Sequence, residues 1–497
     1  MMPDHLLHLL GGLLAATSIL SAASPGPWSD ITDESGLGQN SVALLKFADL
    51  NNDGLPDIVM QPESREPVPP TVFLQDPDFA GNDLPTFTRF DQSGLPALIS
   101  GDIIVFADLD NDGLQDAIAG LYLDIYQDDY QVRAEEPSRT AWLKGRGDGT
   151  FGEPVPLHEA QLATTRSMAV GDVNTDGLPD LFIGNWYERY FSGYEGFSND
   201  LLLQYPGDDD KPTFVRWPLP EETLVTGHEK DLGGRPTYGV ALPVLNDGLP
   251  MLLELNYGRR WNRLYEMRHR EPIHPPRKDL DPVQLVLQDP RAAGAHLIRM
   301  LRGQDIAAET NVDGDAIRHG RHPSWPRVHA NAQPRSLRGD EEPFRANGNT
   351  FDSAVGDIDN DGDFDLFLST IIHAWAGESS DRSRFLVNQL RETGRLSFLS
   401  FEHLSVDRVP PLPRPGDPLD PVVTNDNQGD IFAELADLNH DGRLDLILCS
   451  SSYADPPPYD ERLRIYFQQI DGRFRDVTSE LGIDHVGAGM PSLADVD

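Results

Sequence analysis

Apolar residues along this chain come in short runs separated by polar stretches rich in Asp, Asn and Gly. The runs VFA, MAV, SAV and ELA lead into acidic stretches, and DIVM, DLFIGNW, DLFLSTI and DLILCS lead out of them. Runs this short fit strands rather than helices. Each pair is joined by a polar loop, first met as DLNNDGLPD at residues 49–57. A tight hairpin link takes about two to five residues, so a longer loop loaded with mutually repelling carboxylates needs another reason.

The loop recurs as DLDNDGLQD (108–116), DVNTDGLPD (172–180), DIDNDGDFD (357–365) and DLNHDGRLD (437–445). PVLNDGLPM (243–251) reads as a worn copy that keeps Asp247 and Gly248, with Pro243, Leu245 and Met251 at loop positions 1, 3 and 9. The closing LADVD places Asp495 and Asp497 as the first third of another copy. The turns GRGDGTF (145–151) and QIDGRF (469–474) close later hairpins of the same unit. The unit is therefore strand, acidic loop, strand and further strands, a four-stranded sheet, and such sheets repeated about an axis make a β-propeller. A second repeat sets the register: WSDITDESGL (28–37) matches FRDVTSELGI (474–483), and each stands the same distance before its acidic loop. The expected fold is all-β, a seven-bladed β-propeller, or eight-bladed if ETNVDGDAI (309–317) is one more eroded copy. It spans residues 24–497, with the last blade truncated at 497.

The loop reads D1-x-[DN]3-x-D5-G6-x7-x8-D9. Alternating side chains at 1, 3 and 5 aim oxygens at one centre, Gly at 6 permits the reversal, position 7 offers its backbone carbonyl and Asp at 9 closes the sphere. All-oxygen donors suit Ca²⁺, and ligand positions without Cys or His argue against zinc. Turn propensity of Asp, Asn and Gly explains one copy but not Asp at 1, 5 and 9 in five. The expected calcium ligands are Asp49, Asn51, Asp53, Leu55 and Asp57; Asp108, Asp110, Asp112, Leu114 and Asp116; Asp172, Asn174, Asp176, Leu178 and Asp180; Asp357, Asp359, Asp361, Asp363 and Asp365; and Asp437, Asn439, Asp441, Arg443 and Asp445. A truncated site stands at Asp495/Asp497. The loops at 108–116 and 357–365, with Asp at position 3, are expected to bind more tightly, and the copy at 243–251 to be empty. His440, at position 4, is expected to point outward.

Composition sharpens this picture. The 497 residues carry 40 Lys+Arg against 81 Asp+Glu, a formal charge of −41, which disfavours nucleic acid and anionic membrane as partners. The one cysteine, Cys449, excludes an internal disulfide and reads as a core strand residue. Residues 1–23 resemble a secretory signal, an apolar stretch followed by small residues, although Asp4 and His5 stand where a basic residue is usual; the alternative is a buried helix. No later stretch is long and apolar enough for a membrane span. Residues 258–345 depart from the repeat, with 16 basic against 12 acidic residues and six His. Asp289-Pro290 before RAAGAHLIRMLR reads as a capped helix, so this stretch is expected to be a partly helical insertion. It either holds an acidic partner such as a uronate glycan or docks as a cover on the acidic body.

These motifs resemble the FG-GAP/VCBS repeats of integrin-α-type propellers. The combination of DVT…GL with a following calcium loop is similar to cartilage-acidic-protein (ASPIC/UnbV-type) propellers. The resemblance implies a secreted, cell-surface or periplasmic calcium-binding scaffold that engages an extracellular protein or glycan. The alternative is a propeller enzyme, such as a calcium-dependent polysaccharide lyase or hydrolase. No convincing catalytic constellation appears: His373, Trp375, Ser379, Ser380 and Asp381 cluster without a nucleophile-elbow pattern. Arg146-Gly147-Asp148 spells an integrin-ligand tripeptide but sits in an expected turn. Tyr257, Trp261 and Tyr265 are candidates for sugar stacking or for packing.

Overall fold

The computed structural model describes residues 28–77, 84–120, 140–187, 196–206, 211–217, 236–257, 262–268, 297–301, 350–371, 383–399, 430–450, 462–483 and 489–496, less 39–41, 218 and 247, together with Leu219, Leu404 and Val406. Six sheets, each an antiparallel meander of four sequential strands, account for the strands among them. The first holds β1 (Val42–Ala48), β2 (Asp57–Pro62), β3 (Thr71–Gln75) and β4 (Phe87–Phe90). The second holds β5 (Ile103–Ala107), β6 (Asp116–Gly120), β7 (Ala141–Leu143) and β8 (Val155–Pro156). The third holds β9 (Thr165–Gly171), β10 (Asp180–Asn185), β11 (Asp200–Tyr205) and β12 (Thr213–Trp217). The fourth holds β13 (Thr237–Ala241), β14 (Leu252–Asn256), β15 (Arg263–Arg268) and β16 (Leu297–Leu301). The fifth holds β17 (Thr350–Gly356), β18 (Asp365–Thr370), β19 (Arg384–Asn388) and β20 (Phe398–Leu399), with α1 (Leu390–Thr393) before β20. The sixth holds β21 (Asp430–Ala436), β22 (Asp445–Ser450), β23 (Arg462–Gln468) and β24 (Phe474–Asp476).

The second strand of each sheet is apolar on both faces because both are covered. In the third blade Leu181 and Ile183 face the second blade, packing with Ile118 and Trp142. Phe182 on the other face packs with Leu252 and Tyr265 of the fourth. The core is thus a series of layers between neighbouring sheets, which explains the near-continuous runs of the DLFIGN type. Cys449 lies in one such layer, in β22 and 2% exposed.

The expectation of seven or eight blades is corrected to six. A blade is defined by its four-stranded ladder, and counting acidic motifs treated the fragment at Asp495 as one. Residues 489–496 form no strand; they lie against the first blade, where Ser492 Oγ donates to the Leu45 carbonyl and Gln75 Nε2 to the Val496 carbonyl. The candidate at 309–317 lies outside the described residues.

The repeat WSDITDESGL/FRDVTSELGI folds alike in both places. Ser35 N donates to Ile31 O and Leu37 N to Thr32 O, as Leu481 N does to Val477 O and Ile483 N to Thr478 O. Gly36 and Gly482 both take positive φ.

The helix expected after Asp289-Pro290 is corrected at its described end. Leu297–Leu301 is strand β16, paired antiparallel with Arg268–Leu264. Pairing to an apolar neighbour overrides the local helix signal. β15 and β16 both fall inside 258–345, so part of that stretch completes the fourth blade.

Candidate metal centres

The five acidic loops each link the first two strands of a blade and share one hydrogen-bond plan. Position 1 holds the reversal: Asp49 Oδ1 accepts from Asp53 N and its Oδ2 from Gly54 N, at 3.1 and 2.9 Å. Asp108, Asp172, Asp357 and Asp437 repeat this with the amides of positions 5 and 6. Position 5 then accepts from the amide of position 7, as Asp53 does from Leu55, Asp112 from Leu114, Asp176 from Leu178, Asp361 from Asp363 and Asp441 from Arg443. Gly at position 6 has φ between 82° and 94°. Position 4 is also left-handed, at Asn52, Asn111, Thr175, Asn360 and His440. Asn tolerates that region, which accounts for three of the five residues there. His440 is exposed, as the spacing implies.

Two features of the plan were not read from the motif. First, position 2 is an apolar anchor: Leu50, Leu109, Val173, Ile358 and Leu438 are buried. Second, the Asp at position 9 is a clamp. Its Oδ2 accepts from the amide of position 2, and its Oδ1 from an amide within two residues of the end of the third strand. For Asp365 these partners are Ile358 N and Asn388 N, both at 2.7 Å. Asp57, Asp116, Asp180 and Asp445 repeat it. Burial drives these carboxyls up against the pull of the amides, and the other loop aspartates add to the rise. Asp57 and Asp445 go to about 6, Asp180 to about 7 and Asp365 to about 8. Asp116 is raised for the same first cause.

The blades are joined at this level. Gln204 Nε2 donates to the Leu109 carbonyl, Gln468 Nε2 to that of Ile358 and Asn388 Nδ2 to that of Leu245, each crossing to the preceding blade at a position-2 residue. This equivalence corrects the register of the worn copy. Leu245, fully buried, is position 2 rather than 3, so the loop is one residue short. Asn246 is position 3, its Oδ1 accepting from Gly248 N, and Met251 fills with a buried thioether the place of the clamp. A loop lacking carboxylates at 1, 3 and 9 has no anionic donor set to offer.

The donor sets of the other loops are all-oxygen, the kind a hard cation takes. One carboxylate oxygen from each of Asp108, Asp110 and Asp116 lies within 4.8 Å of the others, and so do those of Asp357, Asp359 and Asp361. The repulsion within each cluster is offset differently. Asn51 and Asn174 donate Nδ2 to Asp53 and Asp176. Arg443, at position 7, pairs with Asp441. In the second loop Lys144 Nζ sits 2.5 Å from Asp110 and 2.9 Å from Asp112. These hydrogen bonds and the paired charges hold the Lys144 ammonium well above the usual lysine range. In the fourth loop burial and the surrounding acids raise Asp359 to about 6.

Lys144 therefore competes for the oxygens a cation would take, so the two loops with Asp at position 3 are not equivalent. Replacing Lys144 with Met is expected to raise calcium affinity at the second loop several-fold, since one ion pair of roughly 1 kcal/mol no longer has to be displaced. Calcium titration of K144M against the unchanged protein reads this.

Other sequence candidates are placed as follows. Arg146 donates Nη1 to the Phe151 carbonyl and to Thr150 Oγ1, folding the Arg-Gly-Asp guanidinium back onto its own turn. Tyr265 is fully buried in the core and donates to Glu254 Oε1. Tyr257 packs with Trp186 and Phe351, ring centroids 5.3 and 5.7 Å away. Trp261 and the cluster from His373 to Asp381 lie outside the described residues. So do residues 1–23 and Asp497. Among the described residues no helix is long and apolar enough to cross a membrane.

Comparison with known proteins agrees with the repeat. The family model for the FG-GAP-like repeat matches residues 49–119, which span the first acidic loop and end just beyond the second. No curated protein matches the chain. Among solved structures, one described as the structural basis of specific recognition of non-reducing terminal N-acetylglucosamine by an Agrocybe aegerita lectin aligns at 12% identity and a TM-score of 0.44, covering 94% of this chain and 89% of that one. With six four-stranded blades and a matched repeat spanning its first two acidic loops, the chain is a β-propeller that carries an FG-GAP-like repeat at residues 49–119.

Proposed function

We propose that the five acidic loops bind calcium and that the protein is a secreted, calcium-stabilised propeller that engages an extracellular protein or glycan. The observation that carries the calcium reading is the same oxygen cage built five times, with the loop backbone already curled around it by positions 1, 5 and 9. Two cages bring three carboxylate oxygens within 4.8 Å of one another. Buried oxygens without a hydrogen-bond partner at Asp361 Oδ2, Asp363 Oδ1 and Asn439 Oδ1 are acceptors that a cation would satisfy.

When bound, calcium supplies the positive charge that lets these carboxylates share a site. The chain's own residues do the rest. Position 9 ties the loop to the end of the third strand, and in the third, fifth and sixth blades Gln204, Asn388 and Gln468 there tie the blade to its predecessor. An ion that rigidifies the loop thus acts on the junction between blades. The formal charge of −41 and the signal-like apolar stretch within residues 1–23 support an extracellular binding role over nucleic-acid or anionic-membrane contact.

The test has two arms. Calcium titration of the purified protein is expected to show several high-affinity sites, and magnesium is expected to compete poorly because it demands a smaller, stricter octahedron. Glycan and protein arrays probed with and without calcium are expected to yield a calcium-dependent ligand. Absence of calcium binding overturns the first reading, and arrays blank in both conditions count against the second.

A further inference from the structure

The fourth acidic loop, at 357–365 in the fifth blade, differs from the others in a way the repeat does not explain. Position 7 is Leu55, Leu114, Leu178 and Arg443 in the other four loops but Asp363 here. A carboxylate at this position is expected to reach water. Instead Asp363 is 6% exposed. Its Oδ2 accepts from Arg391 N at 2.9 Å, while its buried Oδ1 has no hydrogen-bond partner. Asp361 Oδ2, next to it, is likewise buried and without one.

A third carboxylate is brought to the same place by a different element. α1 lies between β19 and β20, and the loop holds it on two sides. Asp363 takes the Arg391 amide, and the Arg391 guanidinium donates to the Gly362 carbonyl. The helix stops at Gly394, whose positive φ lets its amide return to the Leu390 carbonyl. This pinned turn presents Glu392 to the loop. One oxygen each from Asp361, Asp363 and Glu392 lies within 4.8 Å of the other two. Oxygens on opposite sides of a calcium ion, each at about 2.3–2.6 Å from it, are about that far apart.

We propose that the loop at 357–365 holds a second divalent cation, ligated by Asp361, Asp363 and Glu392, beside the one that its loop positions define. The inference rests on the calcium reading of the loops. The donors are three carboxylates and nothing softer, so the ion is a hard one, calcium rather than zinc. Asp361 belongs to both oxygen sets, to Asp357 and Asp359 on one side and to Asp363 and Glu392 on the other. It is therefore a bridging ligand, and the two ions bind with mutual dependence. The second ion also fastens α1 to the loop, giving the fifth blade a calcium-dependent contact between its first hairpin and its outer edge.

The test is the number of calcium ions bound by the full chain, measured by equilibrium dialysis and by calorimetric titration on wild type, Glu392→Gln and Asp363→Asn. Each variant is expected to bind one ion fewer than wild type. Because Glu392 is exposed, E392Q is expected to melt like wild type in EDTA, so the lost ion is not a folding artefact. D363N is expected to melt at or above wild type in EDTA, since its amide donates where the cation would sit. Wild type that binds calcium, with E392Q and D363N binding the same number of ions as it does, overturns this site and leaves the loop sites standing. Wild type that binds no calcium overturns both.

Discussion

In EDTA the protein is expected to melt on the order of 10 °C lower than in saturating calcium, and the gap is expected to widen from pH 5 to pH 8. The size follows from mass action. An ion at ten times its Kd stabilises the fold by roughly 1.4 kcal/mol per site and at a hundred times by about 2.7, so five loops contribute roughly 7 to 14 kcal/mol. The unfolding entropy of a chain this long converts that into a shift on the order of 10 °C. The pH dependence follows from the clamp residues. Without a cation, Asp57, Asp180, Asp365 and Asp445 titrate in the fold at about 6 to 8, well above an unfolded aspartate. Between those values the folded chain binds more protons than the unfolded one, so calcium-free stability is present at low pH and is lost as pH rises through the folded values. The formal charge of −41 adds repulsion of the same sign. A bound cation reverses the slope, because protons then compete with it for the oxygens. Melting curves at pH 5, 6, 7 and 8, with and without calcium, read both effects. A calcium-free melting temperature flat across this range, or one that EDTA leaves unchanged, refutes the account.

The repeating unit and its strand–loop–strand frame were legible because both are local. Alternating oxygens, a reversing glycine and a flanking apolar run sit within nine residues and need no tertiary partner to be recognised. Less legible was anything whose reason lies in another element. Leu50 and its equivalents look like filler between two ligands until their burial beneath the loop is seen. The clamp role of Asp57 and Asp365 depends on the Gln75 and Asn388 amides, a strand away. The shortened copy misaligned because its diagnostic residue, Leu245, is marked by a hydrogen bond from Asn388 in the next blade rather than by polarity. Leu297–Leu301 carried a helix signal, and only its pairing with β15 makes it a strand. Lys144 and Glu392 reach acidic loops from positions the motif does not include. The blade count erred because a motif marks where a blade begins, whereas a blade exists only where four strands pair.

The clamp yields the sharpest separation between what the ion does and what the chain does. Asp357 and Asp365 are both expected calcium ligands in one loop, and each accepts two backbone amides. They differ in surroundings. The amides held by Asp357 belong to Asp361 and the exposed Gly362, which water can reach once the carboxylate is gone. Those held by Asp365 belong to the buried Ile358 and Asn388, and an amide left unpaired there loses its hydration and its partner together. Asp365→Ala is therefore expected to cost about 2 to 6 kcal/mol in EDTA, roughly 1 to 3 for each stranded amide. It is expected to cost more in calcium, where a ligand is lost as well. Asp357→Ala is expected to cost little in EDTA and to show its effect once calcium is added. Denaturant unfolding of the two variants in both conditions reads the pattern. An Asp365→Ala curve that overlays wild type in EDTA would show that the loop is held by the ion alone. Equal losses for the two variants in EDTA would show that burial does not set the difference between positions 1 and 9.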